Sequence, residues 1–479
     1  MDNQRSELPK KIKEGLAGPP DLMIKSFAVG ERSELSCLYL TTLINKELIE
    51  ELVFCNILSP QQPIPENQDS AQWLLTAFGQ LEVKPVQGLH ACIQELLDGQ
   101  CIVLPTVGEG VSINARKQEQ RSITEPEMES VVRGPREGFV EDWSRNVSLI
   151  RKRLKNEKLV IEKMLIGTES NTTVCLLFMR GIAPQEVIDE FRKRLKAIRT
   201  DSILESSYIE EFIQDKALTP FPQFIASERP DAIVAKLLEG QAAVITDGTP
   251  IVLAGPITFF QLFAAPEDYY QRADIATLLR WLRMCAFIIS IFTPALYISV
   301  ASYHQDLLPG VMLTNLAAQR EGVPFPGAIE AFLMLFVFEV IREAGLRMPR
   351  IAGQAISIVG ALVLGQAAVE AGMVSAAMII VVSITAIANF VAPTYGFGIA
   401  QRIIQFIFMI LASFLGFFGL MCGVFFLLIH VVSLQSFGVP FFAPLAPVRK
   451  SDWKDSLIRV TRPLMQKNKE TTKVEPEKS

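Results

Sequence analysis

RWLRMCAFIISIFTPALYISVA, residues 280–301, is the point at which this chain changes solvent. Arg280 and Arg283 close a stretch of mixed, charged sequence, and 284–301 then run without a charge for about the length a helix needs to cross a hydrocarbon core. Lysine does not return until Lys450, and further apolar runs follow at 327–346, 352–371, 374–392 and 403–432. The expected fold is therefore an α/β N-terminal region followed by an all-α polytopic membrane domain. Its expected boundaries are a polar segment at 1–32, α/β subdomains at 33–140 and 141–265, and an interfacial linker helix at 266–283. A multi-pass domain at 284–447 and a basic tail at 448–479, disordered towards its end, complete the division.

Whole-chain numbers conceal this division. The 479 residues carry 20% charged side chains and a net charge of -5, which argues against a general nucleic-acid binder. The 7 cysteines are scattered and lack any CxxC pair, so neither a disulfide framework nor a zinc site is expected. MDNQRSELPKKIKEG at the start has no apolar core of the kind a secretory signal carries, so the N-terminal region is expected to stay in the cytoplasm. Asn146 and Asn171 lie in N-x-S/T sequons that read as chance matches.

Compact structure is expected from the apolar run near Leu35, with a helix over 46–58 and a polar linker over 59–68. LLDGQCIVL from Leu96 reads as a helix end, a glycine cap and a strand, and the same grammar returns at Leu237 as LLEGQAAVITDGTPIVLAG. Either a duplication or two local solutions to one connection explains it. Gly108 and Gly110 lack the third glycine of a dinucleotide fingerprint. GIAPQEVIDEFRKRLKAIR at 181–199 predicts a helix with Ile182, Val187, Ile188, Phe191 and Leu195 as its apolar stripe. Its interleaved acids favour a solvated basic face over a lipid- or nucleic-acid-binding one.

Three motifs stand out from this background. RGPREGF at 133–139 must turn, and PFPQFIASERPD at 220–231 is forced extended before Pro230 opens a helix with Asp231 near its positive end. PEDYYQR at 266–272 opens another helix in the same way, expected to continue through Trp281. No catalytic constellation assembles, and His90, His304 and His430 lie far apart, so no enzyme, cofactor or metal is expected.

In the apolar half, the loop at 302–326 carries only Arg320, whereas the next carries Arg342, Arg347 and Arg350, as a cytoplasmic N-terminal side requires. Five runs would leave the basic tail on the wrong side. The last run is interrupted by Gly416, Gly419 and Gly423, so either it is two short or re-entrant segments or 436–447 returns partway; an even number of crossings is expected. Glu330 and Glu339 are ionisable within a span and are candidate pore or subunit contacts, Glu339 having Arg342 one turn on. Gln354, Ser357, Ala361, Gly365 and Ala368 form a small-residue stripe that serves close packing or lines a water-filled path.

RSITEPEMESVVRGPREGFVED at 121–142, PFPQFIASERPD, PEDYYQR, SYHQDLLP at 302–309, EGVPFPGAIEAFLM at 321–334, the run 342–372 and SFGVPFFAPLAP at 436–447 occur in one order. With these motifs the chain resembles the A subunits of GerA-type spore germinant receptors, from about residue 88 to 459; the first 80 residues match in style alone. The resemblance implies a cytoplasmic region of two α/β subdomains and a multi-pass domain in the spore inner membrane. It also implies a complex with a transporter-like B subunit, to which nutrient recognition is mainly attributed, and a C lipoprotein subunit. It further implies a homo-oligomer, a pentamer in family models, that acts as a nutrient-gated cation channel. Arg133, Gly134, Pro135, Glu228, Arg229, Pro230, Asp231, Glu267, Asp268, Tyr269 and Tyr270 are its motif residues in the first half. A secondary transporter and a membrane scaffold, similar to the stage V sporulation AF relatives, stay open beside the channel.

Overall fold

The computed structural model describes residues 7–29, 33–54, 70–78, 82–105, 109–116, 126, 129, 133–348, 365–448, 453–461 and 463. They divide into two units, 1–215 with 224–257, and 216–223 with 258–479.

The first unit is one pattern used twice. Helix α1 (Leu8–Gly15), strands β1 (Leu22–Val29) and β2 (Ser33–Leu40), helical turns over 46–54, α2 (Ser70–Ala77), β3 (Val83–Val86), α3 (Leu89–Leu97), β4 (Gln100–Pro105) and β5 (Gly110–Asn114) make the first copy. The second is α4 (Trp143–Arg153), β6 (Leu159–Ile166), β7 (Thr172–Met179), α5 (Gln185–Ala197), α6 (Ser206–Ile213), β8 (Ile225–Ser227), α7 (Pro230–Leu238), β9 (Ala242–Thr246) and β10 (Val252–Gly255). Both sheets are antiparallel, in the orders β1-β2-β4-β5-β3 and β6-β7-β9-β10-β8.

Period-two alternation fills both faces of the first sheet. Leu35, Cys37, Tyr39, Cys101 and Val103 pack on one side against Leu74 and Phe78, while Leu38, Leu40, Ile102 and Leu104 pack on the other against Ile12, Cys92 and Leu96. Structure thus begins well before Leu35. Ile12 and Leu16 bury one face of α1, and β1 pairs with β2 along its whole length. The 46–58 helix is also modified: Lys46–Leu48 is α-helical and Ile49–Phe54 continues as a π-helix. In α5, Val187, Ile188, Phe191 and Leu195 are buried as the stripe requires, whereas Ile182 precedes the helix and is exposed.

The helix, glycine, hairpin grammar recurs in the same place in each copy. Gly99 (φ 78) and Gly240 (φ 93) follow α3 and α7 in the left-handed region. A Cβ on Gly99 would meet the Leu43 carbonyl at 3.3 Å, and one on Gly240 the Ile182 carbonyl at 3.0 Å. Leu43 and Ile182 each lie just past the second strand of their copy, so the close approaches correspond. The copies are joined by a buried ion pair. Arg151 donates from Nε (3.1 Å) and Nη2 (2.9 Å) to the Asp21 carboxylate, which also accepts from Thr42 Oγ1 at 2.7 Å.

In the second unit, PEDYYQR does not start a long helix. Pro266–Tyr269 is a single 3-10 turn, and α8 (Ala273–Ser302) begins after Arg272 and runs without a break through the first apolar stretch. The linker and the first apolar run are one rod. There follow α9 (Gly310–Arg320), α10 (Gly327–Arg347), α11 (Gly365–Glu370), α12 (Ala376–Phe390) and α13 (Tyr395–Ser433). By length and composition α8 and α13 can cross a membrane, and α12 is a shorter apolar helix.

The backbone of α13 breaks at Gly416 (φ 59, ψ -138), and the chain folds back there. A Cβ on Gly423 would meet the Phe408 ring at 2.9 Å, and Gly419 abuts the Leu411 carbonyl. Residues that far apart meet only when the two arms run antiparallel, because a straight helix rises 1.5 Å per residue. Of the two sequence alternatives, the last run is therefore two short arms.

Both ends of this hairpin return to one aromatic cluster. Phe397 at its start stacks on Phe287 of α8 (5.2 Å) and lies 6.5 Å from Phe259. His430 near its end bonds Thr219 at 3.0 Å and stacks on Phe221, itself 5.7 Å from Phe259. The motif 436–447 supplies Phe441 and Phe442 to the same cluster after a tight β-turn at Phe437 and Gly438.

Candidate functional site

Four polar constellations absorb most of the motif residues. The first lies in the second copy of the repeated fold, where two motifs meet. Ser227 donates to Glu129 at 2.8 Å, and the Phe139 amide donates to the Glu228 carbonyl at 2.7 Å. Pro230 starts α7, and Arg229, 1% exposed, clamps Asp231 through Nε (3.2 Å) and Nη2 (2.7 Å). The sequence assigned Asp231 to the helix dipole, whereas its main partner is the arginine just before the helix. Burial pushes the Glu129 carboxyl up to about 7, against the opposing effects of the Ser227 hydrogen bond and of Arg229. Arg133 and Gly134 stay on the surface of the preceding loop, with Pro135 partly covered.

The second constellation is a collar at the foot of α8. Asp268, fully buried, caps the 3-10 turn by accepting from the Ala265 amide at 3.2 Å. It also takes Arg280 at 3.4 Å and Arg283 at 2.9 Å, two guanidiniums on one carboxylate. Arg280 and Trp281 then hold the segment after the last apolar run, through the Asp455 and Leu457 carbonyls, the latter at 2.9 Å. Arg459 closes the ring: its Nη1 donates to the Gln271 carbonyl at 2.7 Å, its guanidinium lies over the Tyr269 ring, and its amide donates to Thr277 Oγ1 at 3.1 Å. Tyr269 in turn donates to the Asp455 carboxylate at 3.1 Å. Glu267 and Tyr270 are partly buried beside it. Sequence reasoning singled out Asp268 and Tyr269 but not Arg280, Asp455 or Arg459, whose pairing across 175 or more positions leaves no periodic trace.

The third centres on Glu330 in the first turn of α10, which is fully buried. It accepts from the amide and hydroxyl of Ser375, both at 3.0 Å, and faces Arg320 at 3.6 Å. Ser375 is itself the N-cap of α12. A residue that the sequence left without a near partner is thus a tie between α10, α12 and the end of α9.

The fourth contains Glu339. The expected pairing with Arg342 is present at 3.2 Å, and Arg402 of α13 adds a second contact at 2.8 Å. Arg342 also reaches Asn389 Oδ1 at 3.4 Å and lies over the Phe338 and Phe390 rings at 4.9 and 5.1 Å. Of the small-residue stripe, Gly365 is buried at the start of α11 and the Ala368 carbonyl accepts from Met373 just past the end of that helix. Gln354, Ser357 and Ala361 lie outside the described residues. Among the described residues no group of three His, Cys, Asp or Glu is placed to hold a metal.

The family model described as Bacillus/Clostridium GerA spore germination protein matches residues 10–471. Spore germination protein KA of Bacillus subtilis is 42% identical over 94% of this chain and 83% of its own length. An uncharacterized membrane protein of the same organism, YfkQ, is 40% identical over 96% of this chain and 90% of its own. The crystal structure of the N-terminal domain of the A subunit of the Bacillus megaterium spore germinant receptor GerK3 is similar at 29% identity, with a TM-score of 0.42, covering 53% of this chain and 95% of that one.

Proposed function

Because the chain belongs to the GerA family of spore germination proteins, we propose that it is the A-type subunit of a spore germinant receptor and conducts cations when a nutrient triggers the complex. The observation that carries this is the match to germination proteins along almost the whole chain, in both units rather than one. In this reading the second unit crosses the spore inner membrane six times: α8, α10, the run 352–371, α12, and the two arms of α13. An even count returns the tail to the side from which α8 enters. The tail's bonds to the foot of α8, and the arrival of both hairpin ends at the Phe259 cluster, support it.

Partners in this reading are a transporter-like B subunit, a C lipoprotein subunit and further copies of the chain arranged as a pentamer. Glu330 and Glu339 are engaged by Arg320, Ser375, Arg342 and Arg402, so they hold helices together. The conducting surface then falls to the stripe of Gln354, Ser357, Ala361, Gly365 and Ala368, whose spacing of three and four residues and polar Gln354 and Ser357 suit a water-filled path.

The test is potassium release from proteoliposomes carrying the whole receptor. Nutrient addition releases potassium from wild-type vesicles, and Ser357→Trp and Ala361→Trp cut that release at least tenfold while the subunits still co-purify. Unchanged release in both variants, or none from wild type, contradicts the channel; the second outcome favours a scaffold.

A further inference from the structure

The Glu339 constellation has one positive charge too many. Among the described residues, Arg342 and Arg402 share a single carboxylate, at 3.2 and 2.8 Å, and their other acceptors are the neutral Asn389 side chain and the Gly398 carbonyl. Arg342 Nε is buried with no partner among the described residues. The nearby acid Glu343 is committed to Arg347 at 2.7 Å. The sequence supplies no other: from Ala344 to Val369 there is no Asp or Glu, while Arg347 and Arg350 add more positive charge.

The depth of the cluster matters as much as its sign. Asn389 donates to Ser290 of α8 at 3.4 Å, which sets the cluster seven residues, about 10 Å, along α8 from Arg283. Ser290 lies inside the apolar stretch that begins at Met284, whereas Arg402 immediately precedes the apolar run 403–432 and extends from the edge of the hydrocarbon towards the phosphates along its own side chain. An uncompensated guanidinium in such a place is costly unless an anion completes it. The Phe338 and Phe390 rings flank Arg342 and present apolar surface beside the charge.

We propose that Arg342 and Arg402, with Glu339 between them, form a binding site for the phosphate of an anionic phospholipid in the leaflet at the foot of α8. The guanidiniums supply the paired donors that a phosphate accepts, and the rings and the lipid-facing side of α10 receive the first part of an acyl chain. The site rests on the membrane reading above, so the two are tested separately.

Membranes containing the full chain are first washed with alkaline carbonate. Release of the chain by the wash overturns the membrane reading and the lipid site with it. The retained chain is then purified in detergent, and its melting temperature is followed with added phosphatidylglycerol, phosphatidylcholine or inorganic phosphate.

Phosphatidylglycerol raises the melting temperature at concentrations at least tenfold lower than phosphatidylcholine, and inorganic phosphate at the same concentration does not. Asn389→Asp, which places the missing acid 3.4 Å from Arg342 without changing side-chain size, removes the preference while the protein stays folded. Arg402→Gln, which removes the surplus positive charge and leaves Arg342 paired with Glu339, tests the same point should Asn389→Asp not fold, and also removes the preference. Equal response to both lipids, an Asn389→Asp variant that keeps the preference, or an equal shift with inorganic phosphate alone overturns the assignment.

Discussion

Glu129 holds its proton far above the usual carboxylate range, and the sign of the consequence follows from linkage. A carboxyl whose folded pKa is raised from 4.5 to about 7 binds its proton more tightly folded than unfolded. Its contribution is fully present below pH 4.5 and is lost as the pH climbs to about 7. For this partly buried group the loss is on the order of 2 kcal/mol. Glu129→Gln keeps an acceptor for Ser227 and has nothing to titrate. The variant therefore gains stability relative to wild type between pH 5 and 8, read from denaturation midpoints of both chains; a constant difference across that range contradicts the assignment. Single residues were partly legible in the sequence. Asp231 and Asp268 were visible as acids in the first turn of a helix, because that rule needs only neighbours. Their arginine partners were not, because Arg229 precedes the helix and Arg280 and Arg283 belong to the next one.

Among the elements, Gly416 marks the limit of what periodicity can show. A helix that reverses keeps the same apolar composition in both arms, so 403–432 read as one long run and only the three glycines hinted at a break. Gly416 occupies a conformation that side chains avoid, at a cost of about 1–3 kcal/mol, and a Cβ there would meet the Tyr303 ring at 2.9 Å. Gly416→Ala is expected to lower the melting temperature of the detergent-solubilised chain by several degrees, and adding Tyr303→Ala recovers part of that loss by removing the ring. An unshifted melting curve for Gly416→Ala contradicts the tight reversal. The N-terminal elements are hard to read for a different reason. Lysines and glutamates around Ile12 and Leu16 make the segment look polar, although two apolar residues four apart suffice to bury one face of α1.

Across the whole chain, the change of solvent at Arg283 and the repeated helix, glycine, hairpin grammar were both legible, because each is a local pattern. The identity of the two strand orders was not. It depends on pairings such as β2 with β4 and β7 with β9, which are separated by most of a subdomain. The same holds for the collar, where residues 453–461 return to the foot of α8. Together the hairpin and the collar predict that the apolar half begins and ends on one face of the membrane.

Sided labelling in a cysteine-free background tests this directly, using Leu218→Cys (99% exposed) near the ends of the hairpin, Thr461→Cys in the tail and Asp306→Cys beyond the far end of α8. An impermeant maleimide applied to sealed vesicles should label positions 218 and 461 from one side and position 306 from the other. Labelling of 461 from the same side as 306 would contradict the even number of crossings and the tail's place at the foot of α8.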